Sequence, residues 1–182
     1  MITRAILKII LIIILAVLFW FAFYIAYYYL HEYGHYFAGL IDGIPAEKMT
    51  IHYEKIFNII PHPTKIDHPG VDVSKFFKFS GGFLAGTTML VFSIIAFILH
   101  KKKNNTLLIC WSIFAITMVF AIWGYIESIF EAFIPELHMH PIKTTIGYFA
   151  IIFFPAFLIG KQVYKNYKHY FTDTEIFKRK LL

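Results

Sequence analysis

Residues 27–37 read YYYLHEYGHYF, and this stretch decides the fold because polar side chains interrupt a long apolar run. From Ile9 to Leu30 the chain is essentially uncharged. About 20 apolar residues cross the hydrocarbon core of a bilayer as a helix. The run is longer than the apolar part of a signal peptide and does not end in small residues. We therefore predict an uncleaved membrane helix whose three tyrosines, at 27–29, form an aromatic belt at the interface.

The composition extends this prediction to the whole chain of 182 residues. Hydrophobic residues make up 59% and charged residues 15%, whereas soluble domains carry roughly a quarter charged residues. We predict an all-α membrane protein that forms a single domain over 1–182 and ends in a basic tail, 165–182. Its expected four transmembrane helices are about 6–40, 77–99, 106–134 and 144–164.

The loop between the first two helices, residues 42–78, carries strand signals. Residues 49–57, MTIHYEKIF, alternate apolar and polar side chains, which predicts a strand. Residues 61–70, PHPTKIDHPG, hold three prolines and a glycine, which is typical of turns. Residues 71–76, VDVSKF, form the second candidate strand. We expect a small β-hairpin at the membrane surface, whose first strand could bind a substrate peptide as an added strand.

The distribution of Lys and Arg predicts the orientation in the membrane. Eleven of the 17 lie at the termini or in the loop at 100–105, and six lie on the opposite side. The 42–78 loop has five basic and five acidic residues. Positive-inside reasoning therefore places both termini in the cytoplasm and the 42–78 loop outside. Because topology explains the basic excess, membrane lipids are expected partners and nucleic acid is not.

The HEYGH sequence at 31–35 is the first candidate for chemistry. His31 and His35 are four residues apart, so on a helix both imidazoles face one side and can hold one metal ion. Glu32 is placed to act as a general base without being a ligand. The alternative is a polar cap in which the histidines bond to neighbouring groups. Ionisable side chains on a membrane helix are costly, which favours the functional interpretation.

A catalytic zinc site needs a third protein ligand, and the third helix offers two glutamates. Glu127 and Glu131 are four residues apart and lie toward the same side of the membrane as HEYGH. Glu127 is the favoured ligand, with Glu131 orienting a histidine, although the reverse assignment also fits. His138 and His140, in the following loop, are the remaining candidates.

The stretch SGGFLAG at 80–86 opens the second helix with small residues. Small faces let helix backbones approach closely. Gly81 and Gly82 therefore have two candidate roles, which are helix packing and substrate binding.

HExxH near one end of a long membrane helix, followed by SGGFLAG at the start of another, resembles the site-2-protease-like membrane metallopeptidases, the M50 group. The resemblance covers residues 20–45 and 79–90. It implies zinc ligands at His31 and His35 and a catalytic base at Glu32. The usual third ligand of that family is an aspartate on a later helix, but this sequence has no Asp between Asp72 and Asp173. The pair Glu127 and Glu131 is more similar to the glutamate motif of gluzincins.

These observations predict an integral-membrane zinc metalloendopeptidase that hydrolyses a peptide bond of a membrane-associated protein, with its site toward the non-cytoplasmic face. The alternative is a metal-binding membrane protein without protease activity, such as a divalent-ion carrier or sensor. A third option is a scaffold that retains a degenerate site. Glu32 distinguishes the first two, because a hydrolase needs this carboxylate and a carrier does not.

Overall fold

The computed structural model describes residues 2–56, 59–102, 107–134 and 141–172. Within these ranges, helix α1 is followed by a short 3₁₀ helix, two strands and three further helices. The helices are α1 Ile2–Ile41, α2 Lys75–Lys102, α3 Leu107–Phe133 and α4 Pro141–Thr172, the 3₁₀ helix is Ala46–Lys48, and the strands are β1 Thr50–Ile56 and β2 Ile60–Asp67. All four predicted helices form, and α4 continues into the first part of the predicted basic tail.

Helix α1 is 40 residues long and rises about 60 Å at 1.5 Å per residue. It ends in a Schellman-type cap. The amide of Ile44 donates to Gly39 O at 2.8 Å, and that of Gly43 donates to Leu40 O at 3.1 Å. Gly43 takes a φ of 81°, which a residue with a side chain rarely adopts. The cap turns the chain away from the helix and into the loop that carries the hairpin.

Small residues bring α2 and α3 into backbone contact. A Cβ added at Gly82 would lie 2.5 Å from the carbonyl oxygen of Gly124. One added at Gly124 would lie 2.7 Å from the Cα of Gly86. Close approach of this kind is the usual use of small residues in membrane helices. The predicted packing role is therefore observed for Gly82.

Strands β1 and β2 form an antiparallel hairpin, with Ile51 opposite Ile66 and an irregularity between His52 and Tyr53. The prediction of β1 is confirmed, but the predicted second strand at 71–76 is wrong. That segment precedes and enters α2, and β2 occupies most of the stretch that was assigned to turns. Prolines are tolerated there because each strand of a two-stranded sheet has an open edge that needs no amide donor.

Three helices are long and apolar enough to cross a membrane within the described residues, namely Ile10–Ile41, Lys75–His100 and Ile109–Phe133. These spans make the chain a multi-pass membrane protein by length and composition. The prediction of four spans is met for these three only. Helix α4 forms, but Lys143 precedes its apolar run and Gly160, Lys161 and Gln162 end it.

The hairpin and α4 contact different residues of this bundle. Tyr29 of α1 donates a hydrogen bond to Pro61 O of β2 at 3.1 Å, so the hairpin lies beside the end of α1 that carries HEYGH. Helix α4 lies against α3 and receives a hydrogen bond from Trp20 of α1 at Ile151 O, at 3.2 Å. The end of the bundle that carries HEYGH is therefore bordered by the hairpin.

Candidate metal centre

Two histidines of α1 and one glutamate of α3 converge inside the bundle. Nε2 of His31 and Nε2 of His35 are 3.1 Å apart. Glu131 Oε1 lies 3.3 Å from Nε2 of His31, and Glu131 Oε2 lies 3.2 Å from Nε2 of His35. The two histidines are 6% and 7% exposed. Among the described residues, this is a group of side chains that could hold a metal ion.

The direction of the helices explains why these three residues meet. Helices α1 and α3 both run toward this end of the bundle, since α2 returns the chain between them. Four residues of helix advance about 6 Å. His31 and His35 are one such step apart on α1, and Glu131 reaches both because it has two carboxylate oxygens.

The donor set fits zinc. Zn²⁺ binds His nitrogen and carboxylate oxygen at about 2.0–2.2 Å, so neighbouring tetrahedral donors lie about 3.2–3.5 Å apart. The two Nε2 atoms are 3.1 Å apart, and each lies 3.2–3.3 Å from a different carboxylate oxygen of Glu131. With one donor atom taken from each residue, the three donors lie within 4.8 Å of one another. Two imidazoles and one carboxylate are also a known ligand set of catalytic zinc, which leaves the fourth position for water or substrate.

His35 is held in the orientation that a metal ligand needs. Its Nδ1 lies 2.7 Å from Phe77 O, and because a carbonyl oxygen only accepts, Nδ1 carries the proton and donates. Nε2 then has a lone pair directed at the group. The ring also stacks on Phe77, with centroids 5.2 Å apart. A carbonyl partner of this kind commonly fixes the tautomer of a ligating histidine.

Gly81 packs against the imidazole ring of His35. A Cβ at Gly81 would lie 2.3 Å from Nε2 of His35, and a Cβ at Gly34 would lie 2.9 Å from the Cα of Gly81. Ser80 Oγ donates to Gly34 O at 3.0 Å and joins the same two helices. Gly81 thus leaves room for the His35 ring, whereas Gly82 faces α3. The predicted role of the two glycines in substrate binding stays a prediction.

Within the described residues, Glu131 groups with the two histidines, whereas Glu127, the ligand that the sequence favours, does not. Glu127 Oε2 accepts a hydrogen bond from Tyr27 Oη at 2.7 Å and lies 3.7 Å from Nδ1 of His31. It does not belong to the three-residue group. Because α1 and α3 advance together, Glu127 is level with Tyr27, and only Glu131 is level with both histidines. The geometry therefore favours Glu131 as third ligand.

Tyr27 is a residue of the site that the sequence reading missed. The sequence predicts it in an aromatic belt, yet it is 2% exposed and its hydroxyl donates to Glu127. The available signal was its spacing, since Tyr27 lies four residues before His31 and shares its helix face. Tyr29 differs, because it faces the hairpin.

Glu32, the predicted base, is 5% exposed and follows His31 on α1. Its carboxylate makes no hydrogen bond with the described residues. His138 and His140, the remaining ligand candidates, lie outside the described residues.

The histidines of the 42–78 loop lie outside the group. His52 Nε2 contacts Asp67 Oδ2 at 2.7 Å on the hairpin, His62 faces Glu54 O, and His68 faces Val71 O. A hydrogen bond from Lys65, together with the nearby charges of Lys65 and His52, lowers the pKa of Asp67.

No protein-family model, curated protein or solved structure matches this chain. The resemblance to site-2 proteases therefore rests on the HEYGH and SGGFLAG residues and stays a prediction.

Proposed function

We propose that this protein is an integral-membrane zinc metallopeptidase that hydrolyses a peptide bond of a membrane-associated protein. The observation that carries the proposal is the convergence of His31, His35 and Glu131, at 3.1–3.3 Å, on helices long enough to cross a membrane. Buried ionisable groups on such helices are costly and mark functional sites.

Each residue of the site has a role in this proposal. His31, His35 and Glu131 would hold Zn²⁺. Bound zinc would lower the pKa of a water molecule at the site, which makes hydrolysis feasible near neutral pH. Glu32, next to His31 and not hydrogen-bonded to any described residue, would accept the proton of the attacking water on its carboxylate. It would then return this proton to the amine that leaves.

The position of the site in the bundle fits hydrolysis at the membrane surface. Glu131 is two residues from the end of α3, and Gly81 is six residues from the start of α2. In this proposal, water reaches the site from the nearby membrane surface. The exposed strand β1 lies at the same end and could pair with an extended substrate segment.

The proposed orientation puts both termini in the cytoplasm and the site toward the opposite face. It follows from the distribution of Lys and Arg. This orientation requires α4 to return the chain across the membrane. Cysteine labelling from each side of sealed vesicles, at single cysteines placed in the hairpin and near the N-terminus, would test it.

Glu32→Gln is the direct test of the proposed peptidase activity. Elemental analysis of the purified proteins should find one zinc per chain in the wild type and in Glu32→Gln, and none when His31 and His35 are both replaced by Ala. New protein N-termini in membranes from cells that express the wild type should be missing with Glu32→Gln. Identical N-termini in both membranes would contradict the peptidase.

The second candidate is a carrier or sensor of divalent ions. It is favoured by the same observation, since three ligands buried between membrane helices would also serve to move or detect an ion. In a carrier, Glu32→Gln should leave zinc uptake into vesicles unchanged. In a peptidase, vesicles with the wild type should show no uptake above those with the His31 and His35 double variant.

A further inference from the structure

Tyr27, Glu127 and His31 form a chain of polar contacts behind the metal-ligand group. Tyr27 Oη donates to Glu127 Oε2 at 2.7 Å, and the same oxygen lies 3.7 Å from Nδ1 of His31. The ring of Tyr27 also packs near His31, with centroids 5.9 Å apart. None of these contacts involves the Nε2 atom that faces the metal ligands.

We propose that Tyr27 and Glu127 are positioning residues for His31. The Tyr27 hydroxyl holds the Glu127 carboxylate beside Nδ1 of His31, and the carboxylate keeps the proton on that nitrogen, so that Nε2 is available to the metal. This inference rests on the proposed metal site, and it goes beyond that proposal by assigning two residues that are not ligands.

The need for such a partner follows from the chemistry of imidazole. A neutral histidine that binds metal through Nε2 carries its proton on Nδ1, which then requires an acceptor. His35 has one in Phe77 O. Nδ1 of His31 is buried and makes no hydrogen bond with the described residues. Glu127 Oε2 lies 3.7 Å from this nitrogen, which is a charge contact and not a hydrogen bond. In the proposal, this oxygen becomes the acceptor of the Nδ1 proton when His31 binds metal.

The role of Tyr27 follows from the surroundings of Glu127. Glu127 borders a cavity of about 40 Å³, which is also lined by Tyr27 and Phe120. A side chain next to open space is not held by packing alone. The Tyr27 hydroxyl supplies a directional bond to one oxygen of the carboxylate, and Tyr27 itself is fixed by burial against Phe120, with ring centroids 5.5 Å apart. Phenylalanine would keep this packing and lose the bond.

Zinc affinity of the full-length purified protein, measured by competition with a chromophoric chelator, tests the proposal. Tyr27→Phe and Glu127→Met should each weaken zinc binding about 10–100-fold, the usual cost of losing a partner of a ligating histidine. The double variant should bind no more weakly than Glu127→Met alone, because Tyr27 acts through Glu127. Equal affinity of Tyr27→Phe and the wild type, or additive losses, would overturn the proposal.

A matched control separates positioning from general damage to the fold. Tyr125→Phe removes another interhelical hydroxyl bond, that between Tyr125 and Thr87 at 3.1 Å, away from the histidines. It should bind zinc as the wild type does. If Tyr125→Phe weakens binding as much as Tyr27→Phe, the effect is structural and the proposal is wrong.

Visible spectra of the Co²⁺-loaded proteins distinguish positioning from ligation. If Glu127 only positions His31, saturated Glu127→Met should keep the band pattern of the wild type. A changed pattern, or failure to load at any Co²⁺ concentration, would make Glu127 a ligand and overturn the proposal. A wild type that binds neither ion would refute the metal site and this inference together, whereas a zinc-binding wild type with unaffected variants would refute this inference alone. Glu127→Leu, which also lacks an acceptor, is the substitute if Glu127→Met does not fold.

Discussion

Histidine meets carboxylate both at the metal centre and on the β-hairpin, and the two places differ in what surrounds the contact. On the hairpin, His52 and Asp67 approach to 2.7 Å, closer than any histidine–carboxylate pair at the centre, but their side chains are 44% and 45% exposed. At the centre, the histidines of α1 and Glu131 are nearly buried, at 3.2–3.3 Å. A short distance alone therefore does not indicate a metal site. Burial and a third converging donor do.

Substitution of Glu131 should give the largest loss of zinc affinity. A small loss would contradict the conclusion that burial and a third donor distinguish the metal centre from the hairpin. Glu131→Gln keeps the size of the side chain and removes the carboxylate, so one of three ligands loses its charge. Zinc affinity should fall by more than about 100-fold, beyond the cost of losing a residue that only supports a ligand. Asp67→Asn is the control on the hairpin and should leave the affinity unchanged. Chelator competition measures both.

Gly81→Ala should give the next largest loss of zinc affinity. The added Cβ would lie 2.3 Å from Nε2 of His35, so the ring must move away from the position that matches Glu131. We expect zinc affinity about 10–100-fold weaker, an effect on the scale of losing a partner of a ligating histidine. Gly160→Ala is the matched control, because a Cβ at that position meets no atom of the described residues within 4 Å beyond its own stretch of helix. Equal affinity of the two variants would contradict the geometry around His35.

Gly82→Ala should affect stability rather than ligation. Its Cβ would lie 2.5 Å from Gly124 O, a backbone atom that cannot turn aside, so α2 and α3 must separate. Overpacking of this kind costs about 1–3 kcal/mol in the free energy of unfolding. Reversible unfolding in mixed detergent micelles measures the loss, with Gly160→Ala as reference. An unchanged stability would show that the two backbones do not pack this closely.

The smallest expected effect is a loss of hairpin stability, which should appear only at low pH. Since the folded-state pKa of Asp67 is lowered, its ion pairs with Lys65 and His52 stabilise the hairpin above the unfolded-state pKa of Asp, about 4. This contribution is lost as pH falls through the lowered folded-state pKa. NMR of the Asp67 carboxyl should show the lowered value. Asp67→Asn should remove this pH dependence, and a titration at the ordinary pKa would contradict the pairing.

Several features of the fold could be read from residue patterns because they depend on local chemistry. The apolar runs predicted the four helices, and alternation in MTIHYEKIF predicted β1. The second strand could not be read in the same way. Prolines at 61 and 63 are typical of turns, and their place in β2 depends on the partner strand and on Tyr29 of α1, which are distant in sequence.

The sequence by itself determined that His31 and His35 share one face of a membrane helix, because a spacing of four residues in a helix does so whatever packs against it. It also limited the candidates for a carboxylate ligand to two glutamates one turn apart on α3. Only the tertiary structure decided between them. The relative level of α1 and α3 is set by contacts of α2 with both helices, at Gly34, Gly81, Gly82 and Gly124. That level places Glu131 beside both histidines and leaves Glu127 with Tyr27, which no spacing along one helix could specify.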